Sequence, residues 1–211
     1  RRFKRREMLR IGVRDLLKLA DVRETIGALS DLAIVLIQEA YQIVQASLHR
    51  AYGTPTHQTR GRRLVPTGFA VIAMGKLGGG ELNFSSDVDV IYVSESDEGW
   101  TTGKFGRARS AQPAIPNEEF FEYVSRDLTK ALAETTQEGY IFRVDLRLRA
   151  EGSVGKLSRS LEDYRRYYRT RGQHWERMAL LKAQPVAGSP TVRSEEHTSE
   201  LQSQFRISYA V

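Results

Sequence analysis

Apolar residues recur at three- and four-residue intervals through the first fifty positions, and that spacing predicts helices. Leu9, Val13, Leu16, Leu17 and Ala20 share one face of a 3.6-residue turn, so a first amphipathic helix is expected over 4–20. Asp21 followed by Glu24 has the form of a capping box. It opens a second helical stretch, with Ile26, Leu29, Leu32, Leu36, Ala40, Ile43 and Leu48 in register. That stretch closes near Tyr52-Gly53-Thr54-Pro55, and 53–67 reads as a loop.

The period then changes. Residues 68–74 form a short apolar run flanked by glycines, which fits a buried strand. A Gly-rich turn follows over 75–80. Residues 87–93 alternate acidic and apolar and then run apolar, a second strand; 94–116 is polar and irregular. Asn117 is the expected N-cap of a further helix, with Glu118 and Glu119 in its first turn, Phe121, Val124, Leu128 and Leu132 as its buried stripe, and Gly139 as its C′ stop. Residues 140–149 alternate strictly. Arg143, Asp145, Arg147 and Arg149 are expected on one face of a strand, and Val144, Leu146 and Leu148 on the other. Ser160 starts another helix with Leu161, Tyr164 and Tyr168, and Trp175, Met178 and Leu181 mark one more. Tyr164, Tyr167 and Tyr168 read as a packed stripe, His174 and Trp175 as helix packing, and His49 and His57 have no partner pattern. Helices, a mixed β/α core and further helices make an α+β chain.

Composition narrows the function classes. The chain has 211 residues, 40% of them hydrophobic and 27% charged, which is enough to bury a core. It has no cysteine, which excludes a disulfide scaffold, a thiolate zinc site and a cysteine nucleophile. The longest apolar runs, 32–38 and 68–74, are far shorter than the roughly 20 residues of a membrane span. No apolar signal region follows the basic start. A cytoplasmic protein with no membrane role is therefore expected. The net charge of +6 is spread over the start, a loop at Arg60, Arg62 and Arg63, and the later chain. No concentrated basic patch points to nucleic acid.

Chemistry concentrates at three acidic strand positions. Asp87 and Asp89 are two apart, so a strand aims both at one face about 7 Å apart. Hard carboxylate oxygens suit Mg²⁺, whose shell is completed by water and substrate phosphates. Asp145 supplies a third carboxylate from another strand, and three can hold two metal ions about 4 Å apart for phosphoryl or nucleotidyl transfer. The glycines of the preceding turn allow close backbone approach to an anion, Lys76 adds a point charge, and Ser85 and Ser86 add hydroxyl donors. Arg143, Arg147 and Arg149, flanking Asp145, either neutralise phosphate charge or pair with the carboxylates. The alternative to a nucleotidyl-transfer site is a structural acidic edge.

The run Met74-Gly-Lys-Leu-Gly-Gly-Gly-Glu-Leu-Asn-Phe-Ser-Ser-Asp-Val-Asp89 resembles the signature of the bifunctional glutamine synthetase adenylyltransferase/adenylyl-removing enzymes. Phe142-Arg-Val-Asp-Leu-Arg-Leu-Arg149, Trp175-Glu-Arg177 and Lys182-Ala-Gln-Pro-Val-Ala-Gly188 are similar to that family's downstream blocks. The resemblance covers nearly all of 1–190. It implies a polymerase-β-like nucleotidyltransferase core, with Asp87, Asp89 and Asp145 as catalytic Mg²⁺ ligands and Gly78 and Gly79 as the phosphate-side turn. Beside these, Lys76, Ser85, Ser86, Arg143 and Arg147 stay candidate nucleotide- or phosphate-binding residues on their own chemistry. The Glu-Leu-Asn-Phe-Ser-Ser-Asp form looks like the domain that removes AMP from a tyrosine of glutamine synthetase by phosphorolysis, with phosphate consumed and ADP released. Gln184 departs from the family, which often has Arg there, and puts a phosphate or partner contact at that position in doubt.

The implied organisation is a helical segment over 1–55, a catalytic core over 56–158 and the start of a C-terminal helical region over 159–190. From 191 onward the chain is expected to be a non-native tail. Residues 193–203, Arg-Ser-Glu-Glu-His-Thr-Ser-Glu-Leu-Gln-Ser, resemble the translation of a common sequencing adapter, the alternative being a genuine polar tail. The implied partner is glutamine synthetase. A PII-type signal protein enters only through parts of such an enzyme that lie outside this chain. Two other readings stay open: ATP-dependent adenylyl transfer onto glutamine synthetase or another acceptor, and a catalytically inactive piece that only docks its partner.

Overall fold

The computed structural model describes residues 1–59, 61–103 and 113–189. The chain begins with two helices, α1 (Arg2–Leu16) and α2 (Val22–Tyr52). Asp21 caps α2 as its sequence predicts: its carboxylate accepts from Glu24 N at 2.7 Å, and the Glu24 carboxylate accepts from Asp21 N at 2.9 Å. Over its 31 residues α2 is long enough, and with a mean hydropathy of 1.2 in its most apolar window apolar enough, to cross a bilayer by length and composition, although its unbroken apolar runs are short. In this fold its apolar stripe, with Leu29, Ala33, Ile37, Tyr41 and Val44, belongs to the core.

The span expected as a loop contains a hairpin, β1 (Pro55–Gln58) and β2 (Leu64–Pro66), completed by β5 (Trp100–Thr101) on the other edge of β1. Four-residue strands lack the length for a readable alternation. Arg60 lies outside the described residues.

The central sheet has the order β6-β4-β3-β8, with β7 also pairing β4. Its members are β3 (Phe69–Ala73), β4 (Val88–Ser94), β6 (Val144–Asp145), β7 (Ser158–Ser160) and β8 (Gln184–Gly188). β3 is antiparallel to β4 and β8, whereas β6 and β7 run parallel to β4. β8 overturns the expectation of a wholly helical C-terminal region. The strictly alternating 140–149 segment supplies only the two residues of β6, and Leu146 onward turns away.

Both sheet faces are covered, so alternate residues enter two cores. Phe69, Val71, Val88, Val90 and Tyr92 pack with α2 and α4 (Asn117–Ala133). Ala70, Ile72, Ile91 and Val93 pack with Leu161, Tyr164 and Tyr168 of α5 (Leu161–Thr170). Each large apolar side chain so buried contributes about 1.5–3 kcal/mol. The tyrosine stripe is core, as expected, and Ser160 caps α5 by accepting from Asp163 N at 3.2 Å.

Both boundaries of α4 and the packing of the last helix depart from expectation. Pro116, not Asn117, is the N-cap of α4; Asn117 is buried, and its amide donates to Thr56 O, Glu98 O and Thr67 Oγ1. Gly139 is not the stop of α4, which ends at Ala133; it closes a separate turn with Thr136. The last helix, α6 (His174–Ala179), leaves Trp175 57% and Leu181 beyond it 56% exposed rather than packed.

The stripe predicted for α1 is also exposed, Leu9 at 69% and Leu16 at 79%. Periodicity identifies a face but not what covers it. Ile11 anchors this helix in the core with Met8 packed beside it, and charges fix its N-terminal end. Arg1 donates to the Ala131 and Glu134 carbonyls, Lys4 donates to the Ile141 carbonyl and lies 4.6 Å from the Phe142 ring centre, and Arg2 and Arg5 pair with Glu138. The basic opening is thus spent inside the chain. The expected tail from 191 lies outside the described residues.

Candidate active site

The three aspartates lie along one edge of the sheet. Parallel pairing sets Val88 opposite Val144 and Asp89 opposite Asp145. Neighbouring strands lie about 4.8 Å apart, so Asp89 and Asp145 are adjacent on one face, while Val88 and Val144 turn into the core on the other. The hydrogen bond from Val88 N to Arg143 O, 2.9 Å, continues the ladder and brings Asp87 beside Arg143. Proximity of this kind makes the carboxylates feel one another. Burial, then the charges of Asp145 and Asp87, push Asp89 above the usual carboxylate range. Asp145 moves the other way, because the Arg147 guanidinium bonded to it favours its charged form.

Arg147 takes Asp145 with both arms of its fork. Nε lies 3.0 and 2.9 Å from the two carboxylate oxygens, Nη2 reaches Oδ2, and the backbone N of Arg147 donates to Oδ1 at 2.8 Å. Arg143 pairs with Asp87 through Nε and donates Nη2 to Ser85 O at 3.0 Å. Among the described residues none donates a hydrogen bond to the Asp89 carboxylate, and burial leads the causes acting on it. The expected charged face is therefore real for Arg143, Asp145 and Arg147. Arg149 does not share it. It is buried and donates to the carbonyls of Leu146 (2.8 Å), Ser153 (2.9 Å) and Gly155 (3.2 Å), tying down the segment after β6.

The Gly-rich turn is a one-turn helix, α3 (Gly75–Gly78). The sequence reading passed over Gly75, the residue that meets the site. Its φ is +54°, and a Cβ there would lie 2.5 Å from Asp89 Oδ2. Its signal was position, a glycine directly after the apolar strand. Gly78 has a packing reason: a Cβ would strike Lys182 O at 2.1 Å and Ala73 O at 2.7 Å. Gly79 is exposed beside the Lys182 side chain, which pairs with Glu81. Lys76 is exposed, and its charge reaches Asp89. Ser86 Oγ accepts from Asn83 N at 3.2 Å and so closes the 83–86 turn, while Ser85 offers its carbonyl, not its hydroxyl, to Arg143.

Whether these residues suit a divalent cation has two answers. The donor set fits, since it consists only of carboxylate oxygens from adjacent strands, one of them seated in the space that a side chain at 75 would fill. The side chains are not yet gathered: among the described residues no group of three His, Asp or Glu stands in metal-holding geometry. Two of the three carboxylates are engaged by arginine instead.

A family model described as glutamate-ammonia ligase adenylyltransferase matches residues 1–199. The chain is similar to the bifunctional glutamine synthetase adenylyltransferase/adenylyl-removing enzyme of Nitrosococcus oceani, 40% identical over 188 residues, 89% of this chain and 18% of that protein. Against the enzyme of the same name from Pseudomonas putida it is 41% identical over 188 residues, again 89% of this chain and 18% of the other. Against that of Hahella chejuensis it is 39% identical over 199 residues, 94% of this chain and 19% of the other. The chain spans about a fifth of the length of the curated relatives it matches.

Proposed function

Since the chain belongs to the glutamate-ammonia ligase adenylyltransferase family, we propose that it carries the adenylyl-removing reaction: phosphate takes AMP from a tyrosine of adenylylated glutamine synthetase, releasing ADP, in the cytoplasm. The observation that carries this reading is the register pair Asp89–Asp145, with Asp87 next to it, on a sheet edge facing arginines. A purely structural acidic edge has no use for the burial of Asp89 beside two like charges.

The core is read as polymerase-β-like. Asp87, Asp89 and Asp145 would hold Mg²⁺, which when bound supplies charge neutralisation on the phosphoryl oxygens. Arg143 and Arg147, exposed at the rim, orient the phosphate nucleophile and offset its charge. Lys76 adds a point charge from α3, on the side of Gly79. Ser85 and Ser86 fix the backbone that enters β4. In the balanced step a phosphate oxygen bonds to the AMP phosphorus, the bond from phosphorus to the tyrosine oxygen breaks, and that oxygen ends protonated. No covalent intermediate on this chain is needed.

The removing direction rests on the Glu-Leu-Asn-Phe-Ser-Ser-Asp form of the signature. Incubating the chain with Mg²⁺, phosphate and adenylylated glutamine synthetase tests it. Phosphate-dependent ADP, lost in Asp87→Asn, is the expected result. Consumption of ATP with release of pyrophosphate would assign the attaching direction instead, and partner binding that survives loss of all three aspartates, without turnover, would leave a docking role.

A further inference from the structure

We propose that Arg143 and Arg147 are placeholder cations, seated on Asp87 and Asp145 until a divalent cation displaces them. This inference rests on the reading of the three aspartates as a metal site. Two guanidinium groups bring the same charge as one divalent cation, and they sit on two of the three proposed ligands. Both oxygens of Asp145 are taken by Arg147. Each oxygen keeps a further lone pair, but a guanidinium charge held on both of them opposes a cation there, so metal binding favours release of the arginine.

The contrast with the chain's fixed arginines supports exchange. Arg149 is buried on three carbonyls, and the side chain of Arg159 is 6% exposed between Asp163 and Glu151. Neither can move without leaving buried polar groups unpaired. The side chains of Arg143 and Arg147 are 61% and 82% exposed. Water can take both guanidinium groups on release, and exposed ion pairs are weak. The pairing also keeps the like charges beside Asp89 tolerable while no cation is bound. Once displaced, the two arginines face the solvent side of the site, where an incoming phosphate would arrive.

The test uses the full 211-residue chain and two readouts besides turnover. Mn²⁺ binding is followed by electron paramagnetic resonance, and the arginine side-chain N–H signals are followed by NMR during a Mg²⁺ titration. The expected results are Mn²⁺ binding lost in Asp145→Asn, and Arg143 and Arg147 Nε–H signals that move or broaden over the Mg²⁺ range that saturates the site, while those of Arg149 and Arg159 stay put. Arg147→Gln should tighten Mn²⁺ roughly three- to fivefold, the worth of an exposed pair. Arginine signals unmoved at saturating Mg²⁺, or Mn²⁺ affinity unchanged in both Arg147→Gln and Arg143→Gln, would overturn the placeholder role and leave the metal site standing. No Mn²⁺ binding by the folded chain would overturn both.

Discussion

Asp89 stands directly opposite Asp145 across a parallel strand pair, yet the two carboxylates are shifted in opposite directions. The cause is one neighbour. Arg147 forks onto Asp145 and bonds no oxygen of Asp89, which is left with burial and two like charges. Burial beside two like charges costs stability, which agrees with the proposed binding role of Asp89.

Asp89→Asn should therefore separate the two properties. Removing the charge relieves repulsion and desolvation, so the variant is expected to be more stable by about 0.5–1 kcal/mol, while ADP release falls to background. Thermal unfolding followed by circular dichroism, beside the turnover assay, checks both. A variant that turns over normally would remove Asp89 from the site.

The glycines around α3 should divide by what a methyl group meets. Gly78→Ala drives a Cβ into the Lys182 carbonyl and should cost about 3 kcal/mol. In Gly75→Ala the left-handed φ of +54° costs about 1–2 kcal/mol, and the new Cβ displaces the Asp89 carboxylate, so metal binding suffers more than folding. Gly80→Ala, with φ +68° and nothing within 4 Å, should lose about 1 kcal/mol of stability alone. Denaturant midpoints and Mn²⁺ affinities measured on the three variants decide this.

Arg149→Ala would leave the Ser153 and Gly155 carbonyls without their donor, while the Leu146 carbonyl keeps its bond from the backbone N of residue 149 at 3.2 Å. A loss of about 2–4 kcal/mol is expected, together with reduced turnover, because Asp145 and Arg147 lie at the start of that segment. Restored stability without restored turnover in a second-site suppressor would show that its role extends beyond folding.

His49 gives the fold a pH dependence. Its Nε2 is buried without a hydrogen-bond partner among the described residues, and its ring packs 5.6 Å from that of Phe120; burial holds it below its ordinary value of 6.5. The unfolded chain thus takes up the proton first. The stability that neutral His49 brings is full above pH 6.5 and is lost as the pH falls toward the lowered folded value. Melting temperatures between pH 7.5 and 5.5 should fall in the wild type and fall less in His49→Gln; parallel curves would refute the assignment.

Sequence alone determined what is local. The capping box of Asp21 and Glu24, the Ser160 cap, the apolar cores of β3 and β4 and the buried tyrosines of α5 all follow from side chains acting within a few residues of themselves. The period-two spacing of Asp87 and Asp89 predicts one shared strand face, whereas β4 begins at Val88, one residue after Asp87. Tertiary structure decided whatever depended on a distant partner. It gave Asp145 its place opposite Asp89, and it cut a ten-residue alternation to a two-residue strand by burying Arg149 under its own loop. It also turned the last apolar stretch into β8 beside β3, used the N-terminal cations to hold the 131–141 segment, and left the α1 stripe exposed. Periodicity records which residues share a face, whereas the energy of a face depends on what the rest of the chain brings against it.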